Sequence, residues 1–207
     1  MAMSLDAKIG SHPLESDQER RSYGFTNKDD QEHVRALLKS ADAVITGANS
    51  MRASSGAWNQ KNAKGVFPVW IIMSRSGLDD SLKFWDQVDI PRVLIGSGIR
   101  PQSDRQKNSG VIFVDSLNKH PAKTAKEWLD SQKIETCLLF GGGEINQLFY
   151  SENLVDELKI TICPIIVGTL DAPSFVAPGL PAKKHLTLMS SNALGNHVFL
   201  SYSVQKH

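Results

Sequence analysis

The chain has 207 residues, 41% of them hydrophobic and 22% charged, with 23 basic against 22 acidic side chains. Such a composition belongs to a folded globular chain whose core needs no disulfide or metal staple. A net charge of +1, with the basic residues scattered, supplies no field to gather nucleic acid or an anionic membrane. No apolar run approaches the roughly 20 residues of a membrane helix. No basic-then-apolar leader opens the chain, so a cytoplasmic location is expected. Cys137 and Cys163 lie in apolar runs and read as buried small hydrophobes rather than a disulfide pair.

In chain order, residues 3–9 (MSLDAKI) alternate, which predicts a strand with Ser4, Asp6 and Lys8 along one face. Residues 10–26 are polar and aperiodic, a long loop. Asn27 stands as an N-cap with Asp29 and Asp30 in the first turn, ahead of a helical stripe of Val34, Leu37, Leu38 and Ala41. Short apolar strands are predicted at 43–45, 68–73, 92–96 and 111–114. A helix opens on Pro121, where a missing N–H costs nothing. CLLF at 137–140 reads as a buried strand running into Gly141-Gly142-Gly143, and 144–150 as a helix. Residues 156–163 alternate again until Pro164. After a Pro/Gly-rich loop at about 168–184, a hairpin closes the chain around Gly195-Asn196. Strands alternating with helices, then strands alone, predict one α/β domain over 1–207: a mostly parallel central sheet flanked by helices, with an antiparallel C-terminal hairpin.

In such sheets ligands collect beyond the carboxyl ends of strands. Three strand exits qualify. Gly141–Gly143 between strand and helix would bare amide hydrogens for an anion, or simply make a tight turn. At Gly47-Ala48-Asn49-Ser50-Met51-Arg52, Asn49 or Ser50 can cap a short helix with Arg52 close by. Ser74 and Arg75 follow the third strand, a hydroxyl and a guanidinium suited to a phosphate monoester. Asp6 and Lys8 can pair, orient a polar substrate or relay a proton. The six histidines, His12, His33, His120, His185, His197 and His207, show no metal-ligand spacing, and there is no CxxC, so no metal is expected. Gly-x-Ser-x-Gly and Gly-Lys-Ser/Thr motifs are also absent.

Taken together, MSLDAKIG, SADAVITGANSMRA and LLFGGGEINQLFYSENLVDELKITICPIIVG resemble the reductase domain of riboflavin biosynthesis, a family with the dihydrofolate-reductase-like fold. The resemblance implies an NADPH-dependent reductase that passes hydride to a C=N or C=O carbon of a polar small molecule. It places the NADPH pyrophosphate on Gly141, Gly142, Gly143, Glu144 and Ile145, and the adenosine 2′-phosphate on Ser74 and Arg75. Gly47, Asn49, Ser50, Met51 and Arg52 would contact cofactor. Ser4, Asp6, Lys8 and Ser54 would lie toward the substrate, with Asp6 and Lys8 at the reaction end. A homodimer is implied as well, with the apolar stretch 155–166, near a sheet edge, as a candidate part of its interface.

The chain departs from that pattern where substrate is read. Ala7 replaces the usual Gly, Ser54-Ser55 replace an acidic pair, and Phe140 replaces the glutamate before the glycines. Fewer strand residues precede MSLD than is usual, which implies a short first strand or a start further upstream. A pteridine- or folate-type reductase, and an NADP-binding module without catalysis, are the competing readings.

Overall fold

The computed structural model describes residues 1–206. Its contacts divide into two units, one made of Val34–Phe140, the other of Met1–His33 together with the chain from Gly141 onward.

In the first of these, β2 (Ala43–Gly47), β3 (Val69–Met73), β4 (Arg92–Gly96), β5 (Ile112–Asp115) and β6 (Cys137–Gly141) form a sheet in the order β5-β4-β3-β2-β6. The β2–β3, β3–β4 and β4–β5 pairs are parallel. β2 and β4 are buried along their whole length, the burial that their uninterrupted apolar runs require. Val44, Trp70, Ile72 and Leu94 pack with Leu38, Met51, Phe84 and Trp85 into one core. β6 is the outer strand of this sheet, so it is less buried than its apolar run implies: Cys137 is exposed and Leu138, Leu139 and Phe140 are half-buried. Arg92 is buried and makes no ion pair among the described residues. Its guanidinium donates to the carbonyls of Ile90, Phe84 and Ser109 and lies over the Phe84 ring.

The other unit holds a second sheet, β1-β7-β9-β8, built from β1 (Ala2–Met3), β7 (Glu157–Ile162), β8 (Leu186–Leu194) and β9 (His197–Val204). β1 runs parallel to β7, and the β7–β9 and β9–β8 pairs are antiparallel. The hairpin closes with Leu194 opposite His197, and Gly195 takes the positive φ that a two-residue turn demands. β7 lies between the two-residue β1 and β9, so the 155–166 stretch is next to an outer strand, with Leu158, Ile160 and Thr161 buried within the chain itself. The outer strands are β1, only two residues long, and β8, exposed at every position.

Two further expectations fail near the N-terminus. Only Ala2–Met3 is strand, and the chain then turns. The expected 10–26 loop contains α1 (Asp17–Ser22), held by a reciprocal box in which Ser16 Oγ accepts from Glu19 N and Glu19 accepts from Ser16 N. α2 (Lys28–Ser40) starts as predicted, with Asn27 Oδ1 accepting from Asp30 N at 2.8 Å. No helix among the described residues is long and apolar enough to cross a membrane.

Candidate functional site

The glycine junction leads from β6 into α6 (Gly143–Ser151). Gly142 is the N-cap and carries no side chain to cap the helix, so the first amides depend on partners outside it. Gly141 has φ +75°, and a Cβ there would stand 2.7 Å from Asn146 Oδ1. A Cβ on Gly143 would collide with the Ser174 carbonyl and stand 3.3 Å from Ala177. A Cβ on Gly142 would meet only Ile9 Cδ1, at 3.6 Å. Protein packing therefore demands glycine at 141 and 143 but leaves room at 142. Glu144 is exposed in the first turn, and Ile145 is buried, so its side chain faces the interior rather than a ligand.

Asn146 escaped the sequence reading. It is 2% exposed, and its Nδ2 donates to the Phe175 carbonyl at 2.7 Å. The signal was an amide on the same helical face as Phe149 and Tyr150, where only apolar residues belong. Tyr150 packs edge-on against Phe175 with ring centres 6.0 Å apart. Burial pushes its hydroxyl up to about 12.

Ser4, Asp6 and Lys8 do not line one face of a strand. They form a tight turn in which Ser4 N donates to Lys8 O, Ala7 N to Ser4 O, and Lys8 N to Ser4 Oγ. Short polar side chains bonding to nearby backbone compete with a sheet ladder, and here they win. Ala7 sits at φ +61°, a left-handed conformation that costs a non-glycine residue about 1–2 kcal/mol. The Asp6 carboxylate accepts from Ser4 Oγ at 2.6 Å, Val167 N at 3.0 Å and Gly168 N at 2.8 Å. The Ser4 hydroxyl, then the two amides, hold its carboxyl well below the usual carboxylate range. Its contribution to stability is thus complete above the ordinary Asp pKa and is lost only as pH falls through the lowered value. Lys8 does not pair with Asp6: its Nζ donates to the carbonyls of Leu170 and Ala172.

In the other unit, Gly47 rather than Asn49 or Ser50 is the N-cap of α3 (Ala48–Ser54), and it makes no side-chain cap. Asn49 Oδ1 instead accepts from Arg52, whose guanidinium also reaches Asp79 and the Gly77 carbonyl. Met51 is core, at 1% exposure. Ser74 Oγ donates to the Gly77 carbonyl at 2.8 Å, and the neighbouring Arg75 is exposed. Beside this turn lies a cavity of about 360 Å³ lined by Arg52, Ser76, Gly77, Asp79, Gln102 and Gln106, among others. Ser54 Oγ donates to Gly56 O. Phe140 is held edge-on by Trp58 and Trp70, with ring centres 6.1 and 5.8 Å away, and it offers no hydrogen bond. No His/Cys/Asp/Glu cluster among the described residues could hold a metal, and His207 lies outside them.

The architecture, a parallel sheet flanked by helices with an antiparallel hairpin sheet, is the dihydrofolate-reductase-like fold. The model of the RibD C-terminal domain matches residues 1–200, and the chain belongs to that family. It is 25% identical over 215 residues to a 2,5-diamino-6-ribosylamino-4(3H)-pyrimidinone 5′-phosphate reductase of Methanothermobacter thermautotrophicus, covering 99% of this chain and 95% of that one. A reductase of the same name from Archaeoglobus fulgidus is also 25% identical, over 188 residues, covering 84% of this chain and 82% of its own. Among solved structures, a pyrimidine reductase-like protein from Corynebacterium diphtheriae superposes with a TM-score of 0.78 at 19% identity. That match covers 99% of this chain and 90% of the other.

Proposed function

We propose that this chain is an NADPH-dependent reductase of the riboflavin-biosynthesis type, acting on a C=N or C=O carbon of a phosphorylated aminopyrimidine. The observation that carries the reading is the start of α6, where the N-cap Gly142 has no side chain and a Cβ there would meet only Ile9 at 3.6 Å. Backbone amides at a helix start, unobstructed by a side chain, suit a diphosphate. Gly141, Gly142, Gly143 and the amides of Glu144 and Ile145 take that role. Arg75, with Ser74 fixing its turn, takes the 2′-phosphate. Asn49 and Arg52 form a braced pair on the cofactor side, and Gly47, Ser50 and Met51 shape the turn and helix that carry them. Bound there, the nicotinamide would supply hydride. The chain's own residues bind, orient and exclude water.

Turnover of 2,5-diamino-6-ribosylamino-4(3H)-pyrimidinone 5′-phosphate or of the corresponding aminouracil, followed by NADPH consumption at 340 nm, tests this reading. Consumption with either pyrimidine is expected, and consumption only with dihydrofolate would move the chain to pteridine chemistry. Phe140 favours a second reading. A polar ring group set against it would lose water without gaining a partner, which suits an NADP-binding module that turns neither pyrimidine over. NADPH binding with no consumption of any of the three would establish that module.

The chain further acts as a homodimer in this reading, joined across β8. Its nine residues, LTLMSSNAL, include neither charge nor proline, the usual guards of an open edge. Sedimentation equilibrium should give twice the chain mass, and a monomer at micromolar concentration would remove the dimer from the account.

A further inference from the structure

We infer that Asp6 and Lys8 are positioning residues which set the shape of the glycine junction through the segment 167–177, an inference that rests on the dinucleotide reading above. Every residue involved belongs to one unit. On one side of the segment, the Asp6 carboxylate takes the amides of Val167 and Gly168, and Lys8 Nζ takes the carbonyls of Leu170 and Ala172. Backbone contacts extend the seam: Ile9 N donates to Pro173 O at 2.8 Å, and Phe175 N to Ala7 O at 3.3 Å. The far side of the same segment meets the start of α6. There Phe175 O accepts from Asn146 Nδ2 and Ala177 N donates to Gly143 O at 3.2 Å. The Ser174 carbonyl fills the space in which a Gly143 side chain would stand.

The alternative role, direct proton transfer, finds little support in this geometry. The Asp6 carboxylate faces three donors and has no proton to give, and the Lys8 ammonium is committed to two carbonyls. Charge-assisted bonds to backbone are the stronger kind, and four of them converge on one short stretch of chain. Releasing them frees the segment that buttresses Gly143.

The test uses the full chain with Asp6→Asn, which keeps the size but turns an acceptor oxygen into an amide donor facing N–H groups. Three quantities are read: amide hydrogen exchange, NADPH affinity by calorimetry, and the pH profile of kcat on the pyrimidine that turns over. We expect faster exchange in 167–177 and in 143–146 together, NADPH affinity down by about tenfold, and a pH profile of unchanged shape. Faster exchange confined to 167–172 with unchanged affinity would overturn the inference. So would unchanged affinity with one limb of the pH profile lost, since that marks proton transfer. Lys8→Met severs the other tie and gives the same reading should Asp6→Asn fail to fold. If the wild-type chain binds no NADPH, the dinucleotide reading fails, while the exchange data still decide whether the segment is coupled to α6.

Discussion

Gly143→Ala should abolish measurable NADPH binding and lower the melting temperature, whereas Gly142→Ala should weaken binding while leaving the melting temperature in place. The two neighbours differ in what a methyl group would meet. At 143 it runs into the Ser174 carbonyl, flanked by the backbone bonds of Pro173 and Phe175, and approaches Ala177, which donates to Gly143 O, so either α6 or the 172–177 segment must move. Forced overpacking of this kind costs about 1–3 kcal/mol, and the displaced amides no longer converge. At 142 the same methyl finds ordinary contact distance to Ile9, so folding has no objection. Any loss there comes from the ligand, and about tenfold or more is expected, since a methyl between amide and phosphate removes a bond worth about 1.5–3 kcal/mol. Thermal denaturation alongside calorimetry separates the cases. Equal stability of both variants would mean that the Ser174 contact is soft.

Arg75→Ala should reduce NADPH affinity by about 10- to 100-fold and leave NADH nearly unaffected, because a charge-assisted hydrogen bond to phosphate contributes about 1.5–3 kcal/mol. Ser74 makes the complementary case. Its hydroxyl already donates to Gly77 O, so Ser74→Ala acts through the turn rather than through a lost phosphate contact. Parallel loss of both dinucleotides on Arg75→Ala would take that residue away from the 2′-phosphate.

The legible parts of this chain are those where one local signal decides. β2, β3 and β4 are apolar runs covered on both faces, α5 (Pro121–Ser131) opens on its proline, and the terminal hairpin turns on Gly195. The misread parts are those where two local rules compete. MSLDAKI alternates like a strand, but Ser4 and Asp6 bond to backbone within reach and fold it into a turn. α1 buries none of its residues, so it carries no apolar period, although the Ser16–Glu19 box was present in the sequence. Cys137 sits in an apolar run yet is exposed, because the outer place of β6 in its sheet is a property of topology rather than of composition.

The candidate site divides in the same way. The glycine triplet, Ser74 and Arg75 stand at strand exits that any parallel sheet would advertise. What fixes the triplet does not: Asn146 meets Phe175 across 29 positions, and Asp6 meets Gly168 across 162. No spacing rule reaches that far. Ala7 is the instructive intermediate, a residue in a left-handed backbone conformation that glycine adopts at no steric cost.

Calorimetric titration of the wild-type chain with NADPH bears most directly on the central claim, that the start of α6 grips a dinucleotide diphosphate. The account predicts saturable one-site binding in the micromolar range that inorganic pyrophosphate competes away. Absence of heat at millimolar NADPH, or binding indifferent to pyrophosphate, would contradict it.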